Sequence, residues 1–120
     1  MAYLKLGLCL CLLGLTNALG GRRVGGISQD ARPVDQEIRE LVDRVKGDIL
    51  TQLPSNEERS MFEPISYKTQ LVNGVNYFVK IQTGVNSYIH VKIYSNFRKT
   101  DVSLTGLEVG KTAEDPINYI

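Results

Sequence analysis

Residues 65–81 read ISYKTQLVNGVNYFVKI, and this stretch decides the fold. It consists of two runs of residues typical of strands, 65–72 and 75–81, on either side of an Asn-Gly pair. Asn-Gly between two such runs is the strongest short-range signal for a β-hairpin, because a two-residue type I′ turn needs positive φ at both central residues. The stretch therefore predicts an antiparallel hairpin with positive φ at Asn73 and Gly74.

The segment before this hairpin has the apolar period of a helix. Its apolar residues fall on one stripe, which comprises Ile38, Leu41, Val42, Val45, Ile49 and Leu53. Asp35 can accept hydrogen bonds from the free amides of the first turn, and Pro54 cannot continue a helix. The sequence therefore predicts a helix between Asp35 and Pro54 with one polar face in water. A helix with a single apolar stripe needs a sheet to lie on.

Two more strand-like runs follow the hairpin. Residues 88–94 alternate apolar and polar side chains, as residues 75–81 do, and residues 102–109 form a last run. One helix followed by four antiparallel strands is an α+β domain in which the helix covers the apolar face of the sheet. Residues 115–120 carry apolar groups that we expect to cover a sheet edge.

The first residues have the three-part order of a secretory signal peptide. Residues 1–5 carry one positive charge, residues 6–15 are an apolar run, and small residues follow. The run is about ten residues, short of the roughly 20 that cross a bilayer, so we expect no membrane anchor. We predict a signal peptide over residues 1–20 and secretion, with cleavage after Ala18 or Gly20. The alternative is an amphipathic or buried N-terminal helix of the folded domain.

Removal of that peptide leaves a chain without a disulfide. Both cysteines, Cys9 and Cys11, lie within residues 1–20, so the mature chain has no thiol. Residues 21–33 include two adjacent glycines and have no apolar period, which predicts a flexible trunk. The remaining residues, 34–120, are enough for a single domain.

Charge and composition argue against several classes of function. The chain has 14 Lys and Arg against 13 Asp and Glu, and no basic run indicates nucleic acid or an anionic membrane as a partner. Without a mature cysteine, and with His90 as the one histidine, the sequence offers neither a thiol nucleophile nor a typical zinc site. We therefore expect no enzymatic activity, no metal and no cofactor, and we predict a structural role for His90 on a strand.

Three stretches carry a resemblance to a known family. Residues 70–74, QLVNG, match the first-hairpin motif Q-x-V-x-G of the family, residues 24–28, VGGIS, look like its N-terminal trunk, and residues 88–94, YIHVKIY, look like the following strand. The chain resembles the stefin branch of the cystatins. This resemblance implies the cystatin fold, in which one long helix packs across a curved antiparallel sheet of four to five strands.

The resemblance also implies a function. Cystatins are reversible, competitive, tight-binding inhibitors of papain-like cysteine proteases, such as cathepsins, and they wedge the trunk and two hairpin loops into the active-site cleft. Carried over to this chain, the protease-binding residues are Gly25 or Gly26 in the trunk, Gln70, Leu71, Val72, Asn73 and Gly74 in the first loop, and Phe97 and Arg98 in the second loop.

Two features depart from the stefin pattern. Stefins commonly have Leu-Pro where this chain has Phe97-Arg98, so we expect a freer second loop and either somewhat weaker binding or a shifted preference among target proteases. Stefins also usually lack a signal peptide. A cystatin-fold extracellular binding protein that does not inhibit is therefore the alternative function. We expect a monomer, and the resemblance also allows a domain-swapped dimer that opens at the first hairpin.

Overall fold

The computed structural model describes residues 26–120. The predicted signal peptide, residues 1–20, and the trunk residue Gly25 lie outside the described residues. Within residues 26–120 the elements are β1 (Arg32–Pro33), α1 (Gln36–Gln52), β2 (Glu63–Val72), β3 (Gly74–Gly84), β4 (Ser87–Ser95) and β5 (Val102–Lys111). The predicted α+β class, with one helix and four to five strands, is confirmed.

All neighbouring strands of the sheet are antiparallel and follow the order of the chain, β1-β2-β3-β4-β5. Because each strand returns beside the one before it, the β2–β3 and β4–β5 connections lie at one end of the sheet. The β3–β4 turn lies at the opposite end. The two hairpin loops of the predicted site are thereby placed side by side.

Helix α1 packs on one face of the sheet through the predicted stripe. Asp35 is its N-cap and accepts a hydrogen bond from the amide of Ile38 at 3.1 Å. All six residues of the stripe are buried, and they pack against the sheet residues Tyr67, Tyr77, Val79, Ile81, Ile89, Val91 and Ile93. Burying one such aliphatic side chain contributes about 1.5–3 kcal/mol, so this interface is the main source of stability. Within residues 26–120 we find no helix long and apolar enough to span a membrane.

The last residues of the chain cross the other face of the sheet. Lys80 Nζ donates to the carbonyl oxygens of Ala113 and Asp115, each at 2.7 Å. The ring centroids of Tyr119 and Phe78 are 5.7 Å apart, and Ile117 is buried. The expectation that residues 115–120 cover a sheet edge is therefore wrong. They cover a face, because the lysines of that face reach the backbone of the tail.

The segment before the helix pairs with the free edge of β2. The amide of Ser28 donates to the carbonyl of Thr69 at 2.7 Å, and the hydroxyl of Ser28 accepts from the amide of Thr69 at 3.0 Å. Ile27 forms a bridge with Gln70, and Arg32 of β1 pairs with Tyr67. The described part of the trunk therefore runs along β2, with pairing at Ile27, Ser28 and Arg32, and its flexibility stays a prediction.

Candidate functional site

The tip of the first hairpin is tighter than a two-residue turn. Leu71 pairs with Val75 and Val72 pairs with Gly74, which leaves Asn73 alone at the tip. Gly74 has a φ of 121°, whereas Asn73 does not have positive φ. The prediction of a type I′ turn with positive φ at both residues is wrong. In a tip centred on Asn73 only Gly74 adopts a positive φ.

Gly74 is fixed by its surroundings as well as by its φ. A Cβ at this position would lie 2.5 Å from the carbonyl oxygen of Ser95 and 2.8 Å from the hydroxyl of Tyr94. That hydroxyl donates a 2.6 Å hydrogen bond to the carbonyl of Asn73. Strand β4 therefore holds the tip in place before any partner binds. No local pattern in the sequence indicates this contribution of Tyr94, because Tyr94 and Asn73 are 21 positions apart.

The residues of the motif divide into supporting and presented ones. Gln70 is buried, and its side-chain oxygen accepts a hydrogen bond from Asn76 Nδ2 at 3.1 Å, directly across the hairpin. Leu71 is 60% exposed, Val72 is half-buried and Asn73 is exposed. Gln70 thus braces the two strands, while the side chains of the next three residues face a potential partner.

The second loop, residues 96–101, is organised by Asn96. The Oδ1 atom of Asn96 accepts from the amides of Thr100 at 2.9 Å and Asp101 at 3.1 Å, and its backbone carbonyl accepts from the amide of Lys99 at 3.0 Å. Asparagine side chains commonly close turns in this way, so the residue type carried a signal that we did not use. The expectation of a freer loop without proline does not fit this arrangement, because Asn96 supplies another constraint.

The second loop is also tied to the helix. Arg44 Nη1 donates to the carbonyl of Lys99 at 2.7 Å, and the side chain of Lys99 forms an ion pair with Glu37. Phe97 remains 63% exposed, and Arg98 is exposed beside it. The loop therefore presents an aromatic ring and a positive charge from an anchored base.

Pairing of the strands brings the trunk and both loops together. Val75 pairs with Ser95, and Ser95 pairs with Val102, so the first tip and the second loop are neighbours. The antiparallel bridge between Ile27 and Gln70 places Gly26 beside Leu71. We call Gly26, Leu71–Asn73 and Phe97–Arg98 the loop end of the molecule.

Gly26 is under no steric demand in the free protein. A Cβ at this position would have nothing within 4 Å, and its φ is not positive. A requirement for glycine here would therefore have to come from the surface of a partner. Gly25, the other candidate for the key trunk glycine, lies outside the described residues.

The chemistry of the loop end suits binding. Its side chains are aliphatic, aromatic, amide and guanidinium groups, and none of these is paired with a base as an activated nucleophile would be. Within residues 26–120 no group of three or more His, Cys, Asp and Glu side chains could hold a metal ion. A pocket of about 230 Å³, lined by Asn86, Tyr88, Thr112, Ala113 and Glu114, lies at the opposite end of the sheet.

Comparisons with known proteins agree with the fold and with the motif. The family model described as the cystatin domain matches residues 25–114, which include Gly26 and both loops. Cystatin-A of Mus musculus is 38% identical over 96 residues, which are 79% of this chain and 96% of the relative. Stefin-2 of Mus musculus is 35% identical over 99 residues, 82% of this chain and 94% of the relative. Cystatin-A3 of Dictyostelium discoideum is 41% identical over 95 residues, 79% of this chain and 97% of the relative.

Proposed function

The chain belongs to the stefin branch of the cystatin family of cysteine-protease inhibitors, and on this premise we propose that it inhibits papain-like cysteine proteases of the cathepsin type. Inhibition is reversible, competitive and tight. The loop end enters the active-site cleft as a wedge and excludes substrate without being cleaved.

One observation carries this proposal: the trunk, the first tip and the second loop meet at one end of the sheet, with Leu71 and Phe97 exposed there. Both loops are held by hydrogen bonds of the free protein, through Tyr94 and Asn96. Preformed loops lose little conformational entropy on association, and this lowers the free-energy cost of binding. The exposed apolar side chains supply area to bury against a partner.

Each part of the loop end has a separate role in the proposal. Leu71, Val72 and Phe97 make apolar contacts with the walls of the cleft. The trunk glycine, Gly25 or Gly26, lets the backbone approach the protease closely and then turn aside from the catalytic thiolate. Gln70 and Gly74 keep the first tip in shape and contribute little contact surface of their own.

Steady-state inhibition of papain by the chain from Gly21 onward tests the proposal. The chain is compared with the triple variant Gly25→Arg, Gly26→Arg and Val72→Asp, which places charge and bulk in the wedge. The control Val85→Asp makes the same substitution as Val72→Asp at a residue that is 77% exposed in the turn at the opposite end. We expect tight competitive inhibition by the parent chain and by the control, and its loss in the triple variant.

Two outcomes of this experiment contradict the proposal. Equal weak inhibition by the parent chain and the triple variant would place the inhibitory surface elsewhere. No inhibition by the parent chain would favour a cystatin-fold binding protein with another extracellular partner. Co-elution with papain whose catalytic thiol carries a small cap tests binding without turnover. A wedge that forms no covalent bond still binds the capped enzyme, whereas a binding protein with another partner does not.

We also propose that the chain is secreted after removal of residues 1–20. The order of charge, apolar run and small residues in the first 20 positions supports this, and the family match begins only at residue 25. Expression with the native N-terminus in a secretory cell, followed by N-terminal sequencing of the medium, is the test. A mature N-terminus at Leu19 or Gly21 is expected, and retention of an uncleaved chain in the cytosol would contradict it.

A further inference from the structure

The structure accounts for Gly74 but not for Asn73. Gly74 is required by its φ of 121° and by the close approach of Ser95 and Tyr94. Asn73 has no positive φ, is exposed, and its carboxamide makes no hydrogen bond within residues 26–120. The turn therefore does not need asparagine at this position. Its exposed carboxamide is therefore available for reaction.

Asparagine is most reactive towards its own backbone when glycine follows it. The attacking atom is the backbone nitrogen of the next residue, and glycine has no side chain to hinder the approach. Asn73-Gly74 is the one such pair in residues 26–120. The other asparagines of this part precede residues with side chains, in the pairs Asn56-Glu57, Asn76-Tyr77, Asn86-Ser87, Asn96-Phe97 and Asn118-Tyr119.

We propose that Asn73 is a site of spontaneous deamidation, and that its conversion disables the first hairpin as a binding element. The backbone nitrogen of Gly74 loses its proton and attacks Cγ of Asn73. The new N–C bond closes a five-membered succinimide, and the Cγ–Nδ2 bond breaks as ammonia leaves with the proton. Water then opens the ring at either carbonyl and gives aspartate or isoaspartate. The net change is loss of ammonia and gain of water, and no other reactant is needed.

The contacts of the tip make the isoaspartate product disruptive. In isoaspartate the main chain runs through Cγ and is longer by one methylene, and the carbonyl that Tyr94 contacts at 2.6 Å becomes a free carboxylate. A Cβ on Gly74 would lie 2.5 Å from the carbonyl oxygen of Ser95, so little room is left for an extra atom on that side of the tip. We therefore expect the displacement to fall on Leu71 and Val72, which precede Asn73 and are less buried than Gly74.

The functional consequence rests on the proposed inhibition of papain-like proteases. Isoaspartate moves the apolar contacts of the first loop and adds a negative charge beside them. Aspartate adds the charge but keeps the length of the main chain. We expect isoaspartate at position 73 to weaken inhibition of papain by on the order of tenfold or more, and aspartate to weaken it less.

The test is incubation of the purified chain in mildly alkaline buffer with timed sampling. Each sample is peptide-mapped by mass spectrometry for the gain of roughly one mass unit that replacement of an amide by an acid produces. It is also labelled with an isoaspartate-specific methyltransferase, passed over a sizing column to select monomer, and assayed against papain. The variants Asn73→Ala and Asn73→Asp are incubated in parallel, each compared with its own starting value.

We expect the mass gain to map to the peptide that contains Asn73-Gly74 before it reaches the other five asparagines. Inhibition by the parent chain should fall in step with the isoaspartate fraction, while both variants keep their starting values. Conversion of Asn86-Ser87 as fast as Asn73 would overturn the site. Two results would overturn the proposed effect of deamidation on binding. One is an equal decline of papain inhibition in Asn73→Ala, and the other is unchanged inhibition by the parent chain as isoaspartate accumulates. If the fresh chain does not inhibit papain, the proposed function fails, while the mass map still decides whether Asn73 deamidates.

Discussion

At the scale of single residues, two glycines in very different surroundings show how position decides the effect of the same substitution. Gly74→Ala puts a methyl group against Ser95 and Tyr94 at a φ that L-residues avoid. We expect a loss of about 2–3 kcal/mol in the free energy of unfolding, because backbone strain and steric overlap both act. Gly47→Ala, in α1 with nothing within 4 Å, should instead stabilise by about 1 kcal/mol.

Chemical denaturation of the two alanine variants measures this contrast directly. Papain inhibition should weaken in Gly74→Ala, since the tip loses its shape, and should not change in Gly47→Ala. Equal stability of Gly74→Ala and the parent chain would mean that the first tip adapts to a side chain, and the rigid-tip account of binding would then be wrong.

The burial of His90 makes the free energy of unfolding depend on pH. It is 1% exposed, and its Nε2 atom has no hydrogen-bond partner within residues 26–120. Burial, with Lys80 and Lys111 nearby, lowers the pKa of His90 from 6.5 to about 4. The unfolded chain therefore binds more protons than the folded chain between these pH values, and stability is lost as the pH falls from 6.5 towards 4. We expect a loss of about 3 kcal/mol over this window.

Urea denaturation at a series of pH values tests the role of His90, with His90→Leu as the comparison. The leucine variant cannot take up the proton, so its stability should depend much less on pH in this window. An unchanged slope in the variant would assign the acid sensitivity to other groups. Inhibition at neutral pH should not change, because His90 lies on the tail-covered face and not at the loop end.

At the scale of elements, the second loop depends on Asn96. Asn96→Ala removes the acceptor for the amides of Thr100 and Asp101 and leaves the loop to sample other conformations. Ordering the second loop on binding then costs about 0.5–1.5 kcal/mol of binding free energy per immobilised side chain. Because such changes act mainly on dissociation, we expect roughly three- to tenfold faster dissociation from papain. Asn86→Ala, an exposed residue in the turn at the opposite end, should not change dissociation.

Hydrogen exchange of the loop amides gives an independent measure of the same change. The amides of Thr100 and Asp101 should exchange faster in Asn96→Ala, whereas those of the core strands should not. Unaltered dissociation despite faster exchange would show that the order of the second loop does not limit binding, and that the first loop and the trunk determine the lifetime of the complex.

The helix and the four long strands could be predicted from the sequence, whereas β1 and several contacts of the site could not. The helix and the strands follow from apolar periods within single segments, which act locally. The φ of Asn73, the burial of Gln70 and the position of the tail depend on partners far along the chain: Tyr94 is 21 positions from Asn73, and Asp115 is 35 from Lys80. The pairing of the strands does bring the three predicted segments to one end of the sheet, and their role in binding stays a prediction. The motif alone could not separate the exposed residues of the first loop from the buried ones.

At the scale of the whole molecule, the first hairpin has a place in two separate predictions, as a binding element and as the hinge of the domain-swapped dimer that the family resemblance allows. In such a dimer residues 70–74 form one continuous strand, so Leu71 and Val72 leave the loop end and the bond from Tyr94 to Asn73 is lost. We expect a swapped dimer, separated from monomer by sizing after partial unfolding, not to inhibit papain. Monomer recovered from the same preparation is the control and should inhibit fully. Full inhibition by a purified dimer would show either that exchange occurs at another hinge or that the first tip is dispensable, and activity of the Val72→Asp monomer distinguishes the two.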